Sequence, residues 1–179
     1  MIYTTLNKIR EHSPCTEGWQ KLLSTLGKTK ADDEPLSLIT ILDSNGLDDA
    51  LWCLRAVDGH KKEIRLYAVW CVRQVPHLMT DPCDICVLDV AERHAHGQAT
   101  DSDLAAARRQ ARHSSARNTA RDEEWDAAFN VAGNAVWDIV WNAEGDEQYA
   151  AFNAARDAQK VEFRRVFGGV SAIGESIND

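Results

Sequence analysis

Several groupings of residues in this chain of 179 have types and spacings that chemistry could use. Cys83-x-x-Cys86, with His77, His94 and His96 nearby, carries ligand types that hold zinc. Spacing works against a shared ion. If Pro82 opens a helix, the two thiols lie one turn apart on one face, yet His94 then lies about 12 Å along the axis from Cys86. Only His77 can still fold back across the loop before Pro82. A redox role for Cys83 and Cys86 at a helix N-terminus is the alternative, although no strand precedes the helix as is usual for such pairs. His12-x-x-Cys15 and His113-Ser114 each set a base beside a nucleophile. Nucleophilic catalysis also needs an orienting third group and an oxyanion site, and neither pair brings them. The chain has no glycine-rich phosphate loop, no GxSxG and no HExxH. These residues point to no reaction, so the expectation is a protein that is not an enzyme and uses no cofactor.

Charge and aromatic spacing are more informative. Residues 1–60 carry a net −3, residues 61–120 a net +2 and residues 121–179 a net −7, so the overall −8 is concentrated at the end of the chain. Arg108, Arg109, Arg112, Arg117 and Arg121 follow helical spacing and form a basic face. That face could meet phosphate or an acidic protein, or it could pair with the contiguous acids Asp122, Glu123, Glu124 and Asp126; the contiguity favours pairing. Immediately after it come Trp125, Phe129, Gly133, Trp137 and Trp141. A stride of four advances about 40° round a helix at each step, so these positions turn through roughly 160°, wider than the stripe of about 100° that a surface helix buries. Either this helix is central and contacted on several sides, or one end of the spiral shows an aromatic residue to a partner, with Asp126 and Asp138 as a polar rim.

The elements that must position these residues are all helical. A first short helix is predicted from about Thr4 to His12. Ser13 and Pro14 read as N-cap and first-turn proline of a second, which carries Trp19, Leu22, Leu23 and Leu26 and closes at Gly27. Asp33 and Pro35 can open a third with Leu38, Ile41 and Leu42, although Leu36 to Leu42 also alternates well enough to be a strand. A fourth runs from Leu47 to Asp58, closed by Gly59, and a fifth from about Lys61 to Val75, ended by Pro76. Asp81-Pro82 opens the next, with Ile85, Leu88, Val90 and Ala91 inward and His94 and His96 in its last turn, where the helix dipole alone accounts for them. Thr100-x-x-Asp103 is a capping box, and the alanine-rich run from there to Asn142 should break near Asn118. A last helix from about Asp146 to Phe167 carries Tyr149, Phe152, Phe163 and Val166. The sum is an all-α protein of eight to nine helices, a helical bundle or a short stack of helix hairpins. Its expected parts are an N-terminal sub-bundle over residues 1–79, an alanine-rich domain over 80–167 and a small-residue tail over 168–179.

Composition narrows the partner. With 44% apolar and 27% charged residues the chain is ordinary for a globular protein, and its acidic balance argues against nucleic acid or anionic lipid as the main partner. Direct nucleic-acid binding through Arg108 to Arg121 stays as a minor alternative. No apolar stretch exceeds Tyr67 to Val72, no leader is evident at the N-terminus, and the odd number of cysteines (Cys15, Cys53, Cys71, Cys83, Cys86) suits free thiols in a reducing compartment. A cytoplasmic location without a membrane partner is therefore expected.

From about Ile64 to Phe167 the chain resembles an immunity-protein family of alanine- and tryptophan-rich helical domains found in bacteria and their phages. The resemblance rests on Leu66-Tyr67-Ala68-Val69-Trp70-Cys71, on Asp81-Pro82 with Ala91-Glu92-Arg93, on Gly97-Gln98-Ala99-Thr100 with Leu104-Ala105-Ala106-Ala107-Arg108, and on the Ala/Trp pattern after Glu124. Cys83 stands where the family usually carries Arg, and His113 to Asn118 interrupt the alanine run. Leu6 to Ala56 is similar to segments found ahead of this domain in phage and mobile-element proteins. The resemblance implies a protein that neutralises a bacterial toxin or defence-system protein by binding it. An acidic surface would suit a basic target. The expected contact set is Asp122, Glu123, Glu124, Trp125, Asp126, Trp137, Asp138 and Trp141.

Overall fold

The computed structural model describes residues 1–141, 143 and 147–169. Its elements run β1 (Tyr3–Thr4), α1 (Leu6–Glu11), α2 (Thr16–Thr25), β2 (Leu36–Ser37), α3 (Leu38–Asn45), α4 (Leu47–Trp52), α5 (Lys61–Arg73), α6 (Pro82–Ala95), α7 (Asp101–Gln110), α8 (Ser114–Thr119), α9 (Glu124–Trp141) and α10 (Glu147–Phe167), with single 3-10 turns at Cys53–Ala56 and Pro76–Leu78. The all-α expectation holds. The tail expected over 168–179 lies outside the described residues from residue 170 onward.

The one sheet among the described residues is a two-residue antiparallel ladder pairing Tyr3 with Ser37 and Thr4 with Leu36. It resolves the ambiguity at Leu36 to Leu42: the first two residues are strand, and Ser37 then caps α3 by accepting from the Ile39 amide, in place of the expected Asp33 and Pro35. The ladder fastens the N-terminus, and Ile2 N–H also donates to Phe167 O at 2.8 Å, tying the chain start to the end of α10. The cap of α2 differs too. Ser13 takes a left-handed backbone at φ 55°, so it cannot serve as N-cap; Cys15 does, its Sγ accepting from the Gly18 amide.

α5 is the central helix. Ile64, Arg65, Tyr67, Ala68, Val69, Cys71 and Val72 are all buried, so it is covered almost all round by α6, α8, α9 and α10. α9 lies along it through Ala127, Ala128, Val131, Ala132 and Ala135, small side chains that let the two backbones approach. At the far end Tyr67 packs against Phe163 and Phe167, ring centroids 5.8 and 5.7 Å away. One contiguous apolar cluster runs from Ile2 to Phe167.

The alanine-rich run breaks twice rather than once near Asn118: at Ala111–His113 and at Ala120–Glu123. A buried polar side chain holds each break. Asp84 on α6 accepts from the Arg112 and His113 amides through one oxygen, at 2.7 and 2.9 Å. At the second break, Arg65 donates to Thr119 O at 2.7 Å, Arg121 O at 3.0 Å and Asp122 O at 3.4 Å, and to Glu124 Oε1 at 3.1 Å. Each group supplies partners to backbone atoms that a helix end leaves orphaned.

The two capping aspartates should contribute to the acid sensitivity of the fold. Asp81 accepts from the Cys83 amide and Asp103 from the Thr100 amide, and these backbone bonds hold both carboxyls below their ordinary value of 3.8. A carboxyl depressed in the folded state contributes stability above its unfolded value and loses it as pH falls through the folded one. Thermal unfolding should therefore be insensitive to these groups between about pH 5 and 7 and should weaken below about pH 4, and Asp103→Ala should remove part of that dependence. An unchanged acid limb in the variant would contradict the assignment.

Candidate interaction surface

α9 exists as a long helix because its first turn is acidic, its interior is alanine and valine, and it contains no proline. One of its faces is sealed against α5, α8 and α10. The opposite face carries Phe129, Gly133, Trp137 and Trp141, so the aromatic spiral from Phe129 onward runs along the open side of this helix. Both readings of the spiral hold in part: α9 is contacted on several sides, by α4, α5, α8 and α10, and the far end of the spiral is uncovered. Trp137 is 64% exposed and Trp141, one turn further on, 86% exposed.

The eight expected contact residues do not form one patch. Glu124 is only 7% exposed and binds Arg65, with Lys61 at 3.6 Å, so it is a core ion pair and no contact residue. Trp125 is half-buried, and Arg55 lies 3.9 Å above its ring and 4.2 Å from that of Trp52, which places one guanidinium between two indoles. Asp126 is bound by Arg121 and by Asn130. Asp138 accepts from Ser115 Oγ at 2.6 Å and is turned towards α8. Asp122 and Glu123 are exposed, Asp122 reaching Arg108 at 3.7 Å, but they lie at the other end of α9, roughly 20 Å from Trp137 at 1.5 Å rise per residue. The helix thus presents an acidic end and an aromatic end.

The aromatic end extends onto α10. Tyr149 and Phe152, on the apolar stripe of the last helix, are exposed, Tyr149 at 76%. They lie on the same face of α10 as Gln159 and Phe163, which are buried. The apolar stripe of this 21-residue helix therefore outruns the core, which ends near Gln159. A stripe longer than the helices available to cover it was the sequence signal for this overhang. Between Trp141 and Tyr149 the sequence adds Glu144, Asp146 and Glu147, all acidic. Ile85, expected inward, is exposed on α6.

Gly133 sits midway along the open face, and a Cβ added there would meet nothing within 4 Å. Gly133→Ala should stabilise the isolated protein by about 0.5–1 kcal/mol, the difference in helix propensity. Urea unfolding checks this, and a destabilised variant would mean that the face is not open.

The remaining groupings take structural roles. Cys83 shares a hydrogen bond with the Asp81 carboxylate, which pushes its thiol up, opposite to what a reactive thiol pair needs. Among the described residues no group of three His, Cys, Asp or Glu side chains is arranged to hold a metal ion. His113 Nδ1 accepts from the Ser115 amide at 3.3 Å, so the ring caps α8 and does not serve Ser114. On the basic face, Arg112 reaches Asp81 at 2.9 Å and Arg117 donates to the Ala111 carbonyl, while Arg109 is exposed. Among the described residues no helix is long and apolar enough to cross a membrane. Comparisons with protein-family models, with curated proteins and with solved structures find no match.

Proposed function

We propose that this protein acts without catalysis, by binding and neutralising another protein, and that the aromatic end of α9 and α10 is its contact surface. The observation that carries the reading is the pair Trp137 and Trp141, exposed on consecutive turns of a well-packed helix. Leaving two indoles in water has a free-energy cost that a docked partner removes, and tryptophan is enriched among the residues that dominate binding energy. The net −7 carried by residues 121–179 favours a basic target through electrostatic steering. The resemblance to immunity proteins supports a bacterial toxin or a defence-system protein as that target, met in the cytoplasm.

The test is neutralisation. A target captured from the native bacterium is purified, and its harmful activity is assayed with this chain and with the Trp137→Ala/Trp141→Ala variant. Suppression by the parent chain and its loss in a folded variant are the expected results. Equal suppression by both would remove the surface from the proposal, and no suppression by either would remove the function.

A further inference from the structure

Away from the aromatic end of α9, the N-terminal helices form a half-open cavity of about 110 Å3 lined by Cys15, Trp19, Ile41, Asn45, Asp49 and Trp52. Its walls are mostly apolar, but one of them carries a carboxylate. Asp49 Oδ2 accepts from Asn45 Nδ2 at 2.7 Å, and the same amide donates to Gly18 O at 2.8 Å. Asn45 therefore braces the carboxylate against α2. Gly18 makes room for it: a Cβ there would lie 2.7 Å from Asp49 Oδ2 and 3.2 Å from Cys15 Sγ.

Among the described residues no cation pairs with Asp49, whereas its neighbour Asp48 is taken by Arg156. The nearby cations are otherwise engaged. Lys21 reaches the Asn45 carbonyl at 3.5 Å, Arg55 rests on Trp52, and neither lines the cavity. The Asp49 carboxylate lines the cavity without a counter-charge, and an entering cation would supply one. Trp19 and Trp52 both line the cavity, and an aromatic ring attracts a cation more than it does a neutral guest. Burial pushes the Cys53 thiol in this wall up to about 12, with the Asp49 charge adding to the effect. In size the cavity approaches the roughly 150 Å3 holes that accept benzene in other proteins.

We propose that this cavity binds a small organic ammonium ion, with the rings of Trp19 and Trp52 as walls and the Asp49 carboxylate as counter-charge. A neutral hydrocarbon would fill the volume and leave the carboxylate unpaired, and an anion would be repelled.

The experiment titrates the full-length, 15N-labelled chain with choline and separately with 3,3-dimethylbutanol, its neutral carbon isostere, following the indole N–H signals of Trp19 and Trp52. Choline should move both signals with a millimolar midpoint and should bind about tenfold or more tightly than the isostere. Asp49→Asn, of the same shape, should abolish that preference. Equal binding of the two compounds would show an apolar hole only, and no movement of either signal up to about 100 mM choline would show no site at all. The comparison within the parent protein decides the matter even if the variant does not fold.

Discussion

Arg65→Met is expected to destabilise the protein by about 3–5 kcal/mol, a large effect for a single polar substitution. Arg65 is 1% exposed, and its fork holds three backbone carbonyls at the α8–α9 junction as well as the Glu124 carboxylate. Methionine fills the volume but leaves all four acceptors without this donor, one of them a nearly buried charge. Replacing an ion pair by apolar groups is often harmless when both partners go together; here three acceptors belong to the main chain and cannot be removed. Glu124→Gln should cost less, because the amide oxygen still accepts from Arg65. In urea unfolding, the arginine variant should show a lowered midpoint with an unchanged slope. A loss below about 1 kcal/mol would mean that Arg65 does not hold the junction.

Trp137→Ala/Trp141→Ala should weaken target binding by a factor of about 100 to 1,000 while changing stability by no more than about 0.5 kcal/mol. Both indoles are largely exposed in the free protein, so truncation removes little intramolecular packing. In a complex each would be desolvated, and hot-spot tryptophans typically cost about 2 kcal/mol or more when truncated. The control is Phe163→Ala. Phe163 is fully buried against Tyr67 and Phe167, so this substitution should cost about 3–5 kcal/mol in stability and affect binding only through unfolding. Calorimetric titration and thermal unfolding separate the two cases.

Helix existence was legible in the sequence where caps and breakers agreed with the apolar period. Asp81-Pro82, the Thr100/Asp103 capping box and Pro76 mark boundaries within about two residues of those observed. Of the two breaks in the alanine run, the one at Ala120–Glu123 was legible from the poor helix formers near Asn118, and the one at Ala111–His113 was not, because Asp84, which holds it, lies far away in sequence on α6. A signal was nonetheless present. Arg65 lies on the stripe of Ala68, Val69 and Val72, and Asp84 on that of Val87, Leu88 and Ala91. A charge placed on an apolar stripe must be buried with partners, and orphaned backbone groups at a break are the partners most available.

The contact surface was partly legible. The pitch of the tryptophan spiral indicated that one buried face could not account for it, and Trp137 and Trp141 are indeed uncovered. Sequence contiguity misled at the other end: Glu124 was expected in the contact set and Asp126 in its rim because they flank Trp125, but Arg65 on α5 binds the first and Arg121 the second. The overhang of Tyr149 and Phe152 was signalled only by the length of the apolar stripe; where along it the core stops is set by the other helices.

The most direct test of the proposed surface is the indole N–H spectrum of the labelled protein with and without the target it neutralises. The proposal predicts that the signals of Trp137 and Trp141 shift or broaden on binding, while those of Trp19, Trp52 and Trp125 stay in place. A bound complex that leaves the Trp137 and Trp141 signals unmoved would contradict it.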